Sequence, residues 1–214
     1  MEKGINTNIF VKHFKDNIEG YPINIFEIGA DDARDSVIFY NEFNRSNIYA
    51  FEANVDTFNN NKSNINNINY INCAISDVEH DTVFYKKTEQ YPGISSLRNR
   101  GQQYPGVTVT VKTKRIDTFC NENDITSIDI CKVDVEGCTY EALKSFGDML
   151  SKTKIFHIET ETSQHFENQI VESEVFNLLK QHNFEMLQHE HCCLNQYDSV
   201  WINKMYKKDV TRND

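Results

Sequence analysis

The chain is short of positive charge. Its 22 lysines and arginines are outnumbered by 32 aspartates and glutamates, a formal net charge of -10, so no broad basic face is expected to follow a phosphate backbone. Nucleic acid is thereby disfavoured as a partner, and a small or neutral substrate is favoured. Long apolar runs are also missing. Residues 1–20 carry Lys3, Lys12, His13 and Lys15 without a continuous apolar stretch, and no later segment approaches the span of a bilayer. The expectation is a soluble, cytoplasmic chain without membrane insertion. The six cysteines (Cys73, Cys120, Cys131, Cys138, Cys192 and Cys193) contain no Cys-x-x-Cys pair and are too sparse for a disulfide scaffold, which leaves reduced thiols. There is no internal repeat, and the one tryptophan, Trp201, reads as core of the last strand.

What is present is ordinary globular composition, 39% hydrophobic and 25% charged, far from the regime of disorder. The 214 residues suit a single domain around one core, residues 1–214. Ile5, Ile9, Phe10 and Phe14 recur at helical spacing and predict a helix over 5–19 that Pro22 ends. An apolar strand follows at 23–28, then Gly29 and a helix over 33–43. Strands are predicted at 47–52 and 68–73, with a helix between them at 56–65 in spite of nine asparagines in residues 54–72. Residues 82–85 and 107–111 read as extra strands flanking a polar stretch, 86–106, with Pro92-Gly93 and Pro105-Gly106 turns. A strand at 128–134, a helix through Ala142, Leu143 and Phe146, a strand at 153–158, a helix at 167–181 and closing strands at 184–187 and 199–202 complete the chain. Such alternation, running over about 23–203, implies an α/β sheet covered on both faces.

In sheets of this kind ligands sit beyond the carboxyl ends of the strands, and the informative residues fall there. Gly29 follows the first strand, where the lack of a Cβ lets backbone approach a ligand. Glu52 ends the second, at the spacing of an acid that accepts from ribose hydroxyls. The pair suggests an adenosine cofactor. A dinucleotide would bring a pyrophosphate to a glycine-rich loop, but this loop has one glycine and carries Glu27, Asp31, Asp32 and Asp35. Acids there suit the cationic S-adenosylmethionine instead, although each alone could be a solvated first-turn acid complementing the helix dipole.

The runs Phe26-Glu27-Ile28-Gly29-Ala30, Ala50-Phe51-Glu52-Ala53-Asn54, Cys73-Ala74-Ile75-Ser76-Asp77, Arg115-Ile116-Asp117-Thr118-Phe119 and Lys132-Val133-Asp134-Val135-Glu136-Gly137 resemble, in order, the motifs of the FkbM-type methyltransferases. The resemblance implies a Rossmann-like class I methyltransferase sheet of seven mostly parallel strands, order 3-2-1-4-5-7-6. It implies transfer of a methyl group from S-adenosyl-L-methionine to an oxygen, often a sugar hydroxyl. By the same resemblance Gly29 and Ala30 lie against the methionine part, with Glu27 and Asp31 in the same loop. Glu52 and the adjoining Ala53 serve the ribose, Asp77 the adenine amino group, and Asp134 faces the transferring methyl. Two positions depart from the family: Glu27 stands where Asp is usual, and Ala33 where a second glycine is usual.

A hydroxyl acceptor needs a base within hydrogen-bond reach; Asp134, Glu136, Glu159 and His165 are the candidates. If the strand runs past Val133, Asp134 and Glu136 alternate onto one face; the alternative for Glu136 is a cap of the following helix. Asp134 with Glu159 could hold a divalent cation, but two acids do not define a site, and no metal is assigned. His189, His191 and Cys193 would share a strand face as a zinc half-site, yet lack a fourth ligand at motif spacing; surface residues are the expected reading. Acceptor recognition is expected from the 86–106 stretch, with Tyr91, Ser95, Arg98 and Tyr104. The rivals to an O-methyltransferase are an N-methyltransferase, a non-catalytic nucleotide-binding module on the same fold and a dinucleotide oxidoreductase.

Overall fold

The computed structural model describes residues 4–86, 94–101 and 106–208. Tyr91, Pro92-Gly93, Tyr104 and Pro105 of the expected acceptor stretch lie outside them. The first helix, α1 (Thr7–Asn17), starts where the Asn6 side chain accepts from the Ile9 amide at 3.0 Å, a standard N-cap. After it come β1 (Asn24–Ile28), α2 (Arg34–Glu42), β2 (Asn47–Glu52), α3 (Val55–Asn61) and β3 (Asn69–Asn72). The asparagine-rich tract thus forms the expected polar helix and strand, and its side chains have work to do: Asn54 caps α3, and Asn72 Nδ2 donates to the Glu52 carbonyl at 2.8 Å.

Three strands, β4 (Ala74–Ile75), β5 (Asp81–Lys86) and β6 (Val107–Lys114), build a separate small sheet in the order β4-β6-β5. The chain then continues through α4 (Ile116–Glu122), β7 (Ile128–Val133), α5 (Thr139–Lys144) and a 3-10 turn at Gly147–Lys152 to β8 (Thr153–Glu161), α6 (Glu172–Gln181), β9 (Phe184–Cys193) and β10 (Gln196–Asn203). The main sheet is ordered β3-β2-β1-β7-β8-β10-β9, parallel except for β10, which runs antiparallel to both neighbours. With the small sheet left out of the count, this is the 3-2-1-4-5-7-6 order that the resemblance implies.

Several boundaries differ from the expected ones for physical reasons. α6 begins at Glu172 rather than 167, because Gln169 and its neighbours are taken up in side-chain to backbone bonds that form a turn: its Oε1 accepts from the His165 and Phe166 amides at 2.8 and 3.2 Å. β8 runs three residues beyond 158, because β10 pairs with it as far as Gln196 opposite Glu161.

Alternation on the central strands splits the apolar side chains between two faces. Phe26, Ile28, Cys131, Val133, Phe156 and Ile158 pack with α4, α5 and α6, and Ile25, Ile130 and Ile155 pack with α1 and α2. The two main apolar clusters thus lie on opposite faces of the sheet, with smaller ones around Ala30, Ala33 and Ala50 and around Ala74, Phe84 and Val111. Trp201 is fully buried in the first, its indole N–H donating to Ser199 Oγ at 2.9 Å. No helix among the described residues is long and apolar enough to cross a membrane.

Candidate active site

The order of the main sheet reverses between β1 and β7, and the cleft at their carboxyl ends has a volume of about 260 Å³. Gly29 closes β1 with φ +83°, a left-handed conformation that costs glycine nothing. A Cβ there would sit 1.8 Å from the Asp134 carbonyl oxygen. The missing side chain makes room for the backbone beyond β7, and only through that for a ligand. The loop amides are spent on the end of β2. Gly29 N and Ala30 N donate to the Phe51 carbonyl at 3.0 and 2.9 Å, and Asp31 N donates to Glu52 Oε2 at 2.8 Å. Glu52 Oε1 accepts from Asn54 N at 2.5 Å. A pyrophosphate arriving at this loop would find those amides occupied and carboxylates beside them. Ala33, at the family's glycine position, is held at φ +58° with its methyl buried against Ala30 and Ala50. The loop keeps the glycine-like backbone at a strain of about 1 kcal/mol.

Glu27 does not line the cleft. Ala33 gives α2 no side-chain cap, and the buried Glu27 carboxylate supplies one from below, accepting from the Ser36 amide at 2.8 Å and from the Ser36 hydroxyl. Burial pushes its pKa up to about 8, against the pull of Lys132. The native state thus holds a proton that the unfolded chain releases near pH 4.5, so this contribution to stability is present below pH 4.5 and is lost as pH rises to about 8. Glu27→Gln should flatten the fall in unfolding free energy across that window by up to about 1.4 kcal/mol per pH unit. Urea denaturation at several pH values checks it; an unchanged slope would show that Glu27 is ionised in the fold.

The other loop acids divide their tasks. Asp32 turns outward to Arg34 at 2.7 Å. Asp35 takes the hydroxyl of Thr7 and, at 2.6 Å, the ammonium of Lys132. Lys132 lies almost wholly buried on β7 and also reaches Asp134 at 3.2 Å. Burial works against its charge, but Asp134, Asp35 and Glu27 outweigh burial and hold the pKa above the usual lysine value. Lys132 was missed from sequence. A lysine inside a central parallel strand, normally apolar on both faces, is the signal that could have found it.

Asp31, Glu52, Asp134, Glu136 and Glu159 all line the cleft, with no Lys, Arg or His lining it among the described residues. One oxygen each from Asp134, Glu136 and Glu159 lie within 4.8 Å of one another. They do not converge by strand alternation, as expected. β7 ends at Val133 and Glu136 sits in a turn at φ +40°, followed by Gly137 at φ +75° against the Phe166 ring. Glu136 does not cap α5 either; that position belongs to Cys138, which makes no side-chain cap. Glu159 projects from within β8, not from beyond it. Burial pushes both Glu136 and Glu159 well above the ordinary carboxylate range, reinforced for each by Asp134. The Gln196 amide, another residue that sequence did not single out, donates to Glu136 Oε2 at 3.4 Å and to Glu159 Oε1 at 3.2 Å. This spacing of three acids would accommodate a divalent cation, but a neutral amide already bridges two of them.

The remaining expected residues lie around this centre. Ala53, Asn54, Cys73, Ala74 and Ile75 form one wall, and Phe84, Ser95, Ser96 and Leu97 another. Ser96 is tied in by its hydroxyl, which donates to the Glu136 carbonyl at 2.6 Å. Arg98 turns away to Glu141 at 2.5 Å. Asp77 lies beyond the lining; its carbonyl accepts from Arg115 at 2.6 Å. His165 is also off the lining, 3.4 Å from Arg100, and burial with that cation lowers its pKa. The histidine-cysteine run on β9 is dispersed: His189 meets Glu172 at 3.0 Å, His191 the Leu194 carbonyl at 2.8 Å and Cys193 Sγ the Gln196 side-chain Oε1 at 3.0 Å.

The methyltransferase FkbM domain matches residues 27–186, from the end of β1 into β9. The chain belongs to this family. A similar protein, the 2-O-methyltransferase NoeI of Sinorhizobium fredii, is 23% identical over 178 residues, 76% of this chain and 72% of that one. Among solved structures, M. capricolum TrmK in complex with S-adenosyl-homocysteine superposes with a TM-score of 0.52 at 14% identity, covering 95% of this chain and 71% of that one. The methyltransferase FkbM from Methylobacillus flagellatus gives 0.53 at 11% identity, covering 89% of this chain and 50% of that one. At these identities the superpositions establish a shared fold.

Proposed function

We propose that this FkbM methyltransferase takes its methyl group from S-adenosyl-L-methionine and places it on a hydroxyl oxygen of a sugar or glycan. The observation that carries the reading is the cleft at the sheet's reversal, whose charged lining side chains among the described residues are carboxylates. S-Adenosylmethionine supplies a methyl on a cationic sulfonium; the acceptor oxygen gains the methyl and gives up its proton. The residues fit that donor. Glu52 accepts from the Asp31 and Asn54 amides, which fixes its carboxylate at the cleft wall, where ribose hydroxyls would donate to it. Asp31 and Gly29, which line the cleft, meet the methionine part, whereas Ala30, expected there too, is buried against Ala33 and Ala50. Asp134, its charge partly balanced by Lys132, stands at the methyl.

Holding the acceptor oxygen in line is the larger task, worth about 7–11 kcal/mol in favourable cases. Removing its proton falls to Glu136 or Glu159, because a carboxylate of raised pKa is a competent base near neutral pH. His165 is too far round the rim to rank with them. An O-methyl acceptor accords with the 2-O-methyltransferase relative.

Calorimetric titration should give saturable binding of S-adenosylhomocysteine and no heat with NAD, and mass spectrometry across a panel of sugars should find a gain of one methyl on oxygen. Binding of NAD alone would overturn the cofactor reading, and methyl groups found only on nitrogen would overturn the acceptor reading.

A further inference from the structure

The acceptor side of the cleft holds more carboxylate than its side chains neutralise. Lys132 is committed to Asp35 and Asp134. Glu159 faces Asp134, Glu136, Asp198 and Glu161, all acids, and Cys192 lies on its far side. Asp198 is itself occupied by His157 at 3.3 Å and by the Ile5 amide at 2.8 Å. Glu136 faces Asp134 and Glu161 but also the cation of Arg100, which lies near His165 and over the Phe166 ring as well. Glu161 Oε2 accepts from Gln169 at 2.6 Å, and burial pushes its pKa up against the bonds it receives from Gln196 and Gln169.

Among the described residues, Gln196 donates to both Glu136 and Glu159. It opens β10, set opposite Glu161 by the register with β8. Its orientation follows from its surroundings. Cys193 Sγ donates to its Oε1 at 3.0 Å, and turning the amide over would put that oxygen against two carboxylates. The N–H₂ end is therefore held toward the acids.

We propose that Glu136 and Glu159 act as one unit keeping a single proton, resident on Glu159 while Glu136 stays ionised, and that Gln196 is the positioning residue that sustains this division. Two carboxylates at such separation in a buried site cannot both ionise cheaply. The proton settles where acids crowd most closely, on Glu159; the charge settles beside Arg100, on Glu136. Donation from Gln196 then favours the ionised member, as a hydrogen bond to a carboxylate does. In turnover Glu136 accepts the acceptor hydroxyl proton at a carboxylate oxygen, and the pair afterwards releases one proton to solvent. The role as base rests on the methyl-transfer reading above; the sharing of a proton does not.

The test uses the whole protein with glutamate labelled at the side-chain carboxyl carbon and followed by NMR against pH. Resonances are assigned by loss in Glu136→Gln and Glu159→Gln. The expected result is two coupled steps, the macroscopic behaviour of an interacting pair, with one proton retained at pH 7. In Gln196→Leu the step that ionises Glu136 should move up by about one pH unit, the size of one neutral donor bonded to a charge. The acidic limb of kcat/KM should move with it, about a tenfold loss below the limb, while S-adenosylhomocysteine affinity stays as in the wild type.

Two full charges on the pair at pH 7, or an unmoved step in Gln196→Leu, would overturn the proposal. So would broadening of both resonances by micromolar Mn²⁺, which would mean a cation where the proton is placed. If Gln196→Leu does not fold, the wild-type titration decides alone. A normal titration pattern with no methylated product would sink the methyl-transfer reading and leave the shared proton standing.

Discussion

Gly29→Ala should unfold the protein more readily than any other single methyl added at its described glycines. The new Cβ would lie 1.8 Å from the Asp134 carbonyl oxygen and 2.8 Å from its carbon, and neither atom is a flexible side-chain end. Relief requires the tips of β1 and β7 to part, which breaks the bond from Asp134 N to the Ile28 carbonyl at 2.9 Å. A loss of about 4 kcal/mol or more follows, the range reached when backbone strain and overpacking coincide, and about 8–16 °C in Tm for a domain of this size. Gly20 supplies the control. Its φ of +86° matches, but an added Cβ meets nothing within 4 Å, so Gly20→Ala should cost only the conformational strain, about 1–2 kcal/mol. Calorimetric melting of both variants separates the two terms; equal losses would mean that the close approach to Asp134 carries no weight.

The second large effect is on ligand affinity. Glu52→Ala removes the acceptor of two backbone amides, Asp31 N and Asn54 N, together with the acid proposed for the ribose. Hydrogen bonds to a charged group are worth about 1.5–3 kcal/mol each, so S-adenosylhomocysteine affinity should fall by about a hundredfold or more, measured by calorimetry. Glu52→Gln keeps an acceptor oxygen for one amide and should lie between. If Glu52→Ala binds within threefold of the wild type, the ribose sits elsewhere.

Much of this was legible in the sequence because it is local. Strand-end positions, the acid at Glu52 and the alternation that buries Ile25, Phe26 and Ile28 follow from short stretches read against period and spacing. What was not legible depends on residues far apart in the chain. Gly29 reads as a place for a ligand; its reason is a carbonyl 105 residues later. The convergence of Asp134 and Glu136 arises from a left-handed turn that no periodicity announces. Gln196 is polar and follows a hairpin turn, a context in which such residues are commonplace; only the register with β8 brings it to the acids. The pairing of Ala74-Ile75 with β6 is equally non-local, which is why the small sheet read only as extra strands. Ala33 was the position most in question, and the backbone there behaves as a glycine would.

The Thr7 hydroxyl on Asp35, Asp35 on Lys132 and Lys132 on Asp134 form an unbroken line from the first helix to the centre of the cleft. The charge state of the site is thus partly kept by a segment that supplies none of its lining. Damage to that outlying helix would surface at the opposite end of the line, as a carboxylate with its counter-ion displaced.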